Sequence, residues 1–112
     1  MRVLIIEDEQ LIAWDAKVSL AAAGCEVTGI VGSVEGALHR IAEDGYDVAI
    51  LDADLKGLSS EPVAAALREN GTPFVVMSGY AIDRGIAAFA DAPFLGKPCK
   101  PAVLVAAVLS LA

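Results

Sequence analysis

Histidine, tryptophan and cysteine are nearly missing from this chain: one His, one Trp and two Cys in 112 residues. Two cysteines cannot build a disulfide framework, and neither Cys25 nor Cys99 has His or Cys neighbours at zinc-ligand spacing. Both read as ordinary buried thiols. Positive charge is short as well, with eight Lys and Arg against fifteen Asp and Glu and a net charge of −7. That balance excludes nucleic acid as a direct partner, because binding a phosphate backbone needs clustered Lys and Arg. No apolar run approaches membrane-spanning length, and the N-terminus leads into a strand rather than a signal peptide. The expected setting is therefore cytoplasmic, without membrane contact. Linkers, repeats and low-complexity segments are also lacking, so the expectation is one domain over residues 1–112.

What the chain does contain is apolar residues, 56% of the total, in short runs that alternate with helical patterns. The runs predict strands over residues 2–6, 26–31, 47–51, 72–77 and 93–95. Helices are predicted over 10–23, 34–42, 62–69 and 102–111, with a short, weaker one over 82–88. The first helix shows helical spacing at Leu11, Trp14, Val18 and Ala22. Ser33 reads as an N-cap, and Ala23-Gly24, Asp44-Gly45 and Asn70-Gly71 as helix ends before strands. Strands apolar along their whole length, each followed by a helix, imply a parallel sheet covered on both faces. Right-handed crossovers make it a doubly wound α/β fold of five strands.

Chemistry collects at the strand ends. Glu7, Asp8 and Glu9 follow the first run, Asp52 the third, Ser78-Gly79 the fourth and Lys97-Pro98 the fifth. In parallel strands all of these reach the carboxyl edge of one sheet, where open α/β sheets place ligands. Acids after the first strand could simply favour a helix N-terminus. Asp52 beside them is harder to explain so, because like charges resist sharing a site. A hard cation such as Mg²⁺, which takes carboxylate and phosphate oxygens, resolves the conflict. Three carboxylates against the cation and Lys97 come close to neutrality, leaving room for a phosphoryl group. The Ser78 hydroxyl can donate to such a group, Gly79 lets backbone approach it, and a cis bond before Pro98 would aim Lys97 inward.

Taken together, VLIIEDE, LDADL, VVMSGY and FLGKP resemble a response-regulator receiver domain of the stand-alone, CheY-like kind, over the whole chain. The resemblance implies the flavodoxin-like strand order 2-1-3-4-5. It makes Asp52 the phosphoacceptor, Glu7 and Asp8 the acidic metal pair, and the Asp54 backbone carbonyl a further ligand of Mg²⁺. Ser78 takes the place of the switch hydroxyl, Lys97 of the phosphate-binding lysine and Phe94 of the switch aromatic. The implied donor is a phosphohistidine on a sensor histidine kinase or phosphotransfer protein. The implied outcome is a phosphorylation-dependent change of partner surface between the fourth and fifth strands, without separate enzymatic turnover. As the chain shows no effector segment, output is expected through protein contact or phosphoryl relay.

There are departures. The receiver pattern usually has proline four residues after the acceptor, where this chain has Lys56 followed by Gly57. This loop, with Gly79 and Tyr80, is similar to a single-domain subgroup marked by a Phe-Ala-Thr-Gly-Tyr-like motif. Phe94 lacks the hydroxyl of the commoner Tyr, so its readout is packing alone. Asp54 and Tyr80, flanking the site, are expected to set acyl-phosphate lifetime. The last helix is uncharged from Pro101 to Ala112, and Val103, Leu104, Val105, Val108, Leu109 and Leu111 cover more than one face. It is expected either to pack on the sheet or to dock a kinase helix or second copy, giving a homodimer. Two rival readings stand. One is a phosphorylation-independent pseudo-receiver. The other is a phosphohydrolase of the haloacid-dehalogenase type, whose Asp-x-Asp pair Asp52-Ala53-Asp54 resembles.

Overall fold

The computed structural model describes all 112 residues. Strands β1 (Arg2–Ile6), β2 (Glu26–Val31) and β3 (Val48–Asp52) are followed by a small hairpin, β4 (Asp54–Leu55) and β5 (Leu58–Ser59). Strands β6 (Phe74–Ser78) and β7 (Phe94–Gly96) complete the set. The α-helices are α1 (Gln10–Ala22), α2 (Val34–Ile41), α3 (Glu61–Glu69) and α4 (Pro101–Leu109). The main sheet is parallel throughout, in the order β2-β1-β3-β6-β7. With the hairpin set aside, this is the 2-1-3-4-5 order, as expected.

Alternation along each strand divides the interior in two. Leu4, Ile6, Ala49, Leu51 and Val76 face α2 and α3, meeting Ala37, Ile41, Val63, Ala64 and Leu67. Val3, Ile5, Val48, Ile50 and Val75 face α1 and α4, meeting Ala13, Ala16, Leu20, Leu104 and Val108. Because β1, β3 and β6 are buried on both faces, their ends cannot drift, and the residues that terminate them share one edge.

Local signals behave as the sequence predicts at several ends. Ser33 accepts the Gly36 N–H at 3.0 Å as the N-cap of α2. Gly24, Gly45 and Gly71 all have positive φ between helix and strand. Cys25 is buried, whereas Cys99, expected inside, is only half-buried; both are free thiols.

Three features differ from expectation. The stripe Leu11, Trp14 and Val18 faces outward, 81%, 58% and 53% exposed, while Ala13, Ala16 and Leu20 seat α1 on the sheet. Nine of the thirteen residues of α1 are apolar and spread around it, so spacing could not choose its face; the small alanines let it approach closely. Second, residues 82–88 form no α-helix but two short 3₁₀ segments, Ala81–Gly85 and Ala87–Phe89. Gly85 disfavours helix by about 1 kcal/mol relative to alanine. Ile82 is 84% exposed, and only Phe89 is fully buried with Ile86 and Ala88 half-buried, so no continuous apolar face offsets that cost. Third, the stretch after Asp52 is the β4–β5 hairpin, closed by Lys56 (φ 53°) and Gly57 (φ 81°). Two successive left-handed residues are what a two-residue type I′ turn requires.

On α4, Leu104 and Val108 are buried, as the packing alternative expects, and Val103 and Leu109 remain on the outside.

Candidate functional site

Asp52 and Ser78 are the last residues of β3 and β6, 5% and 3% exposed. Glu7 follows β1 directly, and its N–H still bonds to the Val31 carbonyl at 2.9 Å, so the sheet ladder holds its backbone. Lys97 follows β7, where its N–H donates to the Ser78 carbonyl at 2.8 Å and the Lys97–Pro98 peptide is cis. Four strand ends thus deliver two carboxylates, a hydroxyl and an ammonium to one edge.

There the Lys97 ammonium lies 2.8 Å from Asp52 Oδ2 and 2.7 Å from Glu7 Oε1. Only the Asp52 contact is aligned as a hydrogen bond, which leaves Glu7 Oε1 buried without a directed donor. Glu7 Oε2 accepts the Glu9 N–H at 3.1 Å. Burial, reinforced by the Asp52 carboxyl, pushes the Glu7 carboxyl up to about 7, while Lys97 and the Glu9 N–H pull the other way. Lys97 loses solvation too, but the carboxylates of Asp52 and Glu7 against it hold its ammonium above the usual value. For Asp8, burial works upward and is outweighed by Glu7 and the Lys56 N–H, leaving its carboxyl below the usual range.

Above these groups lies an open cavity of about 390 Å³ lined by Asp8, Glu9, Asp52, Asp54, Ser78, Gly79, Tyr80 and Lys97. All but Glu9 are residues that the sequence singled out; Glu9, which read as part of an acidic cluster, lines the rim. Tyr80 is 66% exposed at the mouth. A Cβ on Gly79 would meet nothing within 4 Å, so its lack of side chain leaves space rather than relieving a clash.

Carboxylate oxygens of Glu7, Asp8 and Asp52 fall within 4.8 Å of one another. An all-oxygen donor set of like charges, one buried oxygen lacking a donor and one carboxyl forced upward, fits a hard divalent cation such as Mg²⁺.

Lys56 sits outside the cavity wall, yet its N–H donates to Asp8 Oδ2 at 3.2 Å, so the hairpin tip orients that carboxylate. The Asp54 carboxylate accepts the Gly57 N–H at 2.8 Å across the same turn, and the Asp54 N–H donates to Asp52 Oδ1 at 3.2 Å. Phe94 is half-buried against the core on the α2–α3 side of the sheet rather than lining the cavity. Two residues that the sequence did not mark touch the switch positions. The Asp83 carboxylate accepts a short hydrogen bond from Ser78 Oγ, and the Arg84 guanidinium lies 4.7 Å from the Phe94 ring centroid.

Comparison with known proteins agrees with this geometry. A family model described as the response regulator receiver domain matches residues 3–109. The transcriptional regulatory protein CutR of Streptomyces coelicolor is 37% identical, over 99% of this chain and 53% of its own length. The chain thus spans about half the length of the curated relatives it first matches. Among solved structures, SdrG from Sphingomonas melonis Fr1 superposes with a TM-score of 0.85 at 38% identity, covering 99% of this chain and 95% of that one. The response regulator TrrA from Thermotoga maritima, solved in complex with Mg²⁺ and BeF, gives a TM-score of 0.88 at 25% identity, over 99% and 98% of the two chains.

Proposed function

Since this chain belongs to the response-regulator receiver family, we propose that it is a phosphorylation-dependent switch of a two-component system, with Asp52 as the phosphoacceptor. Receiver domains are phosphoacceptor signalling domains that take their phosphate from histidine kinases, and this reading gives the chain no separate turnover reaction. The observation that carries the reading is the buried Asp52 carboxylate, held 2.8 Å from the Lys97 ammonium at the floor of an acidic cavity.

An Asp52 oxygen attacks the phosphorus of a phosphohistidine; the N–P bond breaks and the imidazole leaves with its electron pair. Lys97, already bound to the nucleophile, follows the charge onto the phosphoryl oxygens. The Ser78 hydroxyl turns to donate to one of them, and Phe94 packs into the space vacated. Glu7, Asp8, Asp52 and the Asp54 carbonyl would hold Mg²⁺. When bound, the cation offsets the crowded negative charge and that of the incoming phosphoryl group. The complex of TrrA with Mg²⁺ and BeF supports this reading by likeness.

The phosphohydrolase alternative needs Asp54 as an acid, but its carboxylate is engaged across the hairpin turn. The assembled acceptor, acidic pair and lysine leave the pseudo-receiver reading without a supporting observation. Absence of nucleic-acid contact is proposed for these 112 residues alone, with their net charge of −7. No helix is long and apolar enough to cross a membrane, and a cytoplasmic setting is part of the same proposal. A dimer through α4 draws support only from the outward Val103 and Leu109.

Wild type and Asp52→Asn, incubated with Mg²⁺ and acetyl phosphate, test the core of the reading by intact mass. The expected result is one metal-dependent phosphoryl adduct on wild type and none on the variant. A folded wild type that stays unmodified, or an adduct on both proteins, would refute Asp52 as acceptor.

A further inference from the structure

A serine hydroxyl has one proton to donate, and the structure directs that of Ser78 away from Asp52. Ser78 Oγ is bonded to Asp83 Oδ2, lies 2.9 Å from the Tyr80 carbonyl, and accepts the Tyr80 N–H at 2.9 Å. Ser78 is only 3% exposed, and its donor capacity is used within residues 78–83. A phosphoryl oxygen on Asp52 must win this proton from a carboxylate, the strongest kind of acceptor a side chain offers. Asp83 belongs to the segment Ala81–Gly85, and the next residue, Arg84, covers the Phe94 ring. One short turn therefore touches both positions that the switch has to move.

We propose that Asp83 is a positioning residue that competes internally for the Ser78 hydroxyl, holding the unphosphorylated arrangement until a phosphoryl group displaces it. The proposal rests on the reading of Asp52 as phosphoacceptor. It makes this receiver harder to switch than Ser78 and Phe94 alone would. When the phosphoryl group takes the hydroxyl, the Asp83 carboxylate is released and the turn carrying Arg84 loses its tether. Without Asp83, the acceptor left to Ser78 is the neutral Tyr80 carbonyl, a weaker hold. The gain on removing Asp83 is thus the difference between a charged and a neutral acceptor.

The test uses Mg²⁺ with beryllofluoride as the phosphoryl mimic, followed by backbone amide NMR of wild type, Asp83→Ala, Asp83→Asn, Ser78→Ala and the Ser78→Ala/Asp83→Ala double variant. Asp83→Ala is expected to tighten apparent beryllofluoride binding about tenfold, and Asp83→Asn, which keeps a neutral acceptor, by less. In the Ser78→Ala background the Asp83→Ala gain should shrink to roughly twofold, the part due to charge alone. In the free protein, Asp83→Ala should move the Tyr80 amide resonance toward its beryllofluoride-bound position while β1 and β3 amides stay in place. Equal gains in both backgrounds would mean that Asp83 acts only by charge, and would overturn the proposal. So would a Tyr80 amide that does not respond, which can be read in free protein whatever the mimic does. A wild type that takes no beryllofluoride would instead refute the phosphoacceptor reading.

Discussion

Lys56 shows how one residue can depart from a family pattern and still serve its site. Its φ of 53° and its N–H bond to Asp8 Oδ2 are both impossible for proline, which is confined near −65° and has no N–H. The position therefore has a different backbone, not a degraded version of the usual one. Lys56→Pro is expected to lower stability by more than about 1 kcal/mol, and Lys56→Gly to change it by less than that, measured by urea unfolding. A tolerated proline would show that the left-handed turn is not needed. Sequence marked this residue but could not read its geometry. The Lys-Gly pair signals a turn, yet whether it closes a hairpin depends on Leu55 pairing with Leu58, a contact that no motif records. Glu7, Asp8, Asp52, Ser78 and Lys97 were legible because each ends or follows an apolar run whose period is plain. Asp83 was not: nothing in Ala-Ile-Asp-Arg-Gly says that its carboxylate turns back five residues.

Among the elements, the strands of the main sheet were legible to within a residue or two, while the β4–β5 hairpin and the inner face of α1 were not. α1 carries apolar side chains on every side, so choosing its inner face needs the sheet, which takes Ala13, Ala16 and Leu20 and leaves Leu11 outside. Leu20→Ala is expected to cost about 2–5 kcal/mol and Leu11→Ala to stay within roughly 0.5 kcal/mol, compared by denaturant midpoint at constant slope. Similar losses at the two positions would place the core face of α1 wrongly. Residues 82–88 failed as a helix because local propensity and burial agree against one, which the weak pattern reflected without identifying the 3₁₀ turns.

For the molecule as a whole, crowding Glu7, Asp8 and Asp52 at one edge costs stability in the metal-free state, offset in part by Lys97. A cation that binds the folded chain alone recovers it by mass action, about 2.7 kcal/mol at a hundredfold excess over its dissociation constant. For a domain of this size that is roughly 10 °C in Tm. Calorimetry with and without Mg²⁺ should show such a rise for wild type and a much smaller one for Asp8→Asn. Equal Mg²⁺ shifts in both proteins would refute the carboxylate cluster as the binding site.

The segment from Tyr80 to Ala92 has no α-helix, only short 3₁₀ turns held by bonds such as Ile86 N–H to Asp83 O and Phe89 N–H to Ile86 O, both 3.0 Å, and tied to α3 by Arg68. Such a stretch opens at far lower free energy than the sheet beside it. A protein that clamps it removes whatever freedom the turns retain, and that lost entropy is subtracted from the affinity. A partner gripping this segment would therefore hold less tightly than one seated on the sheet, and would let go as the turns reopened.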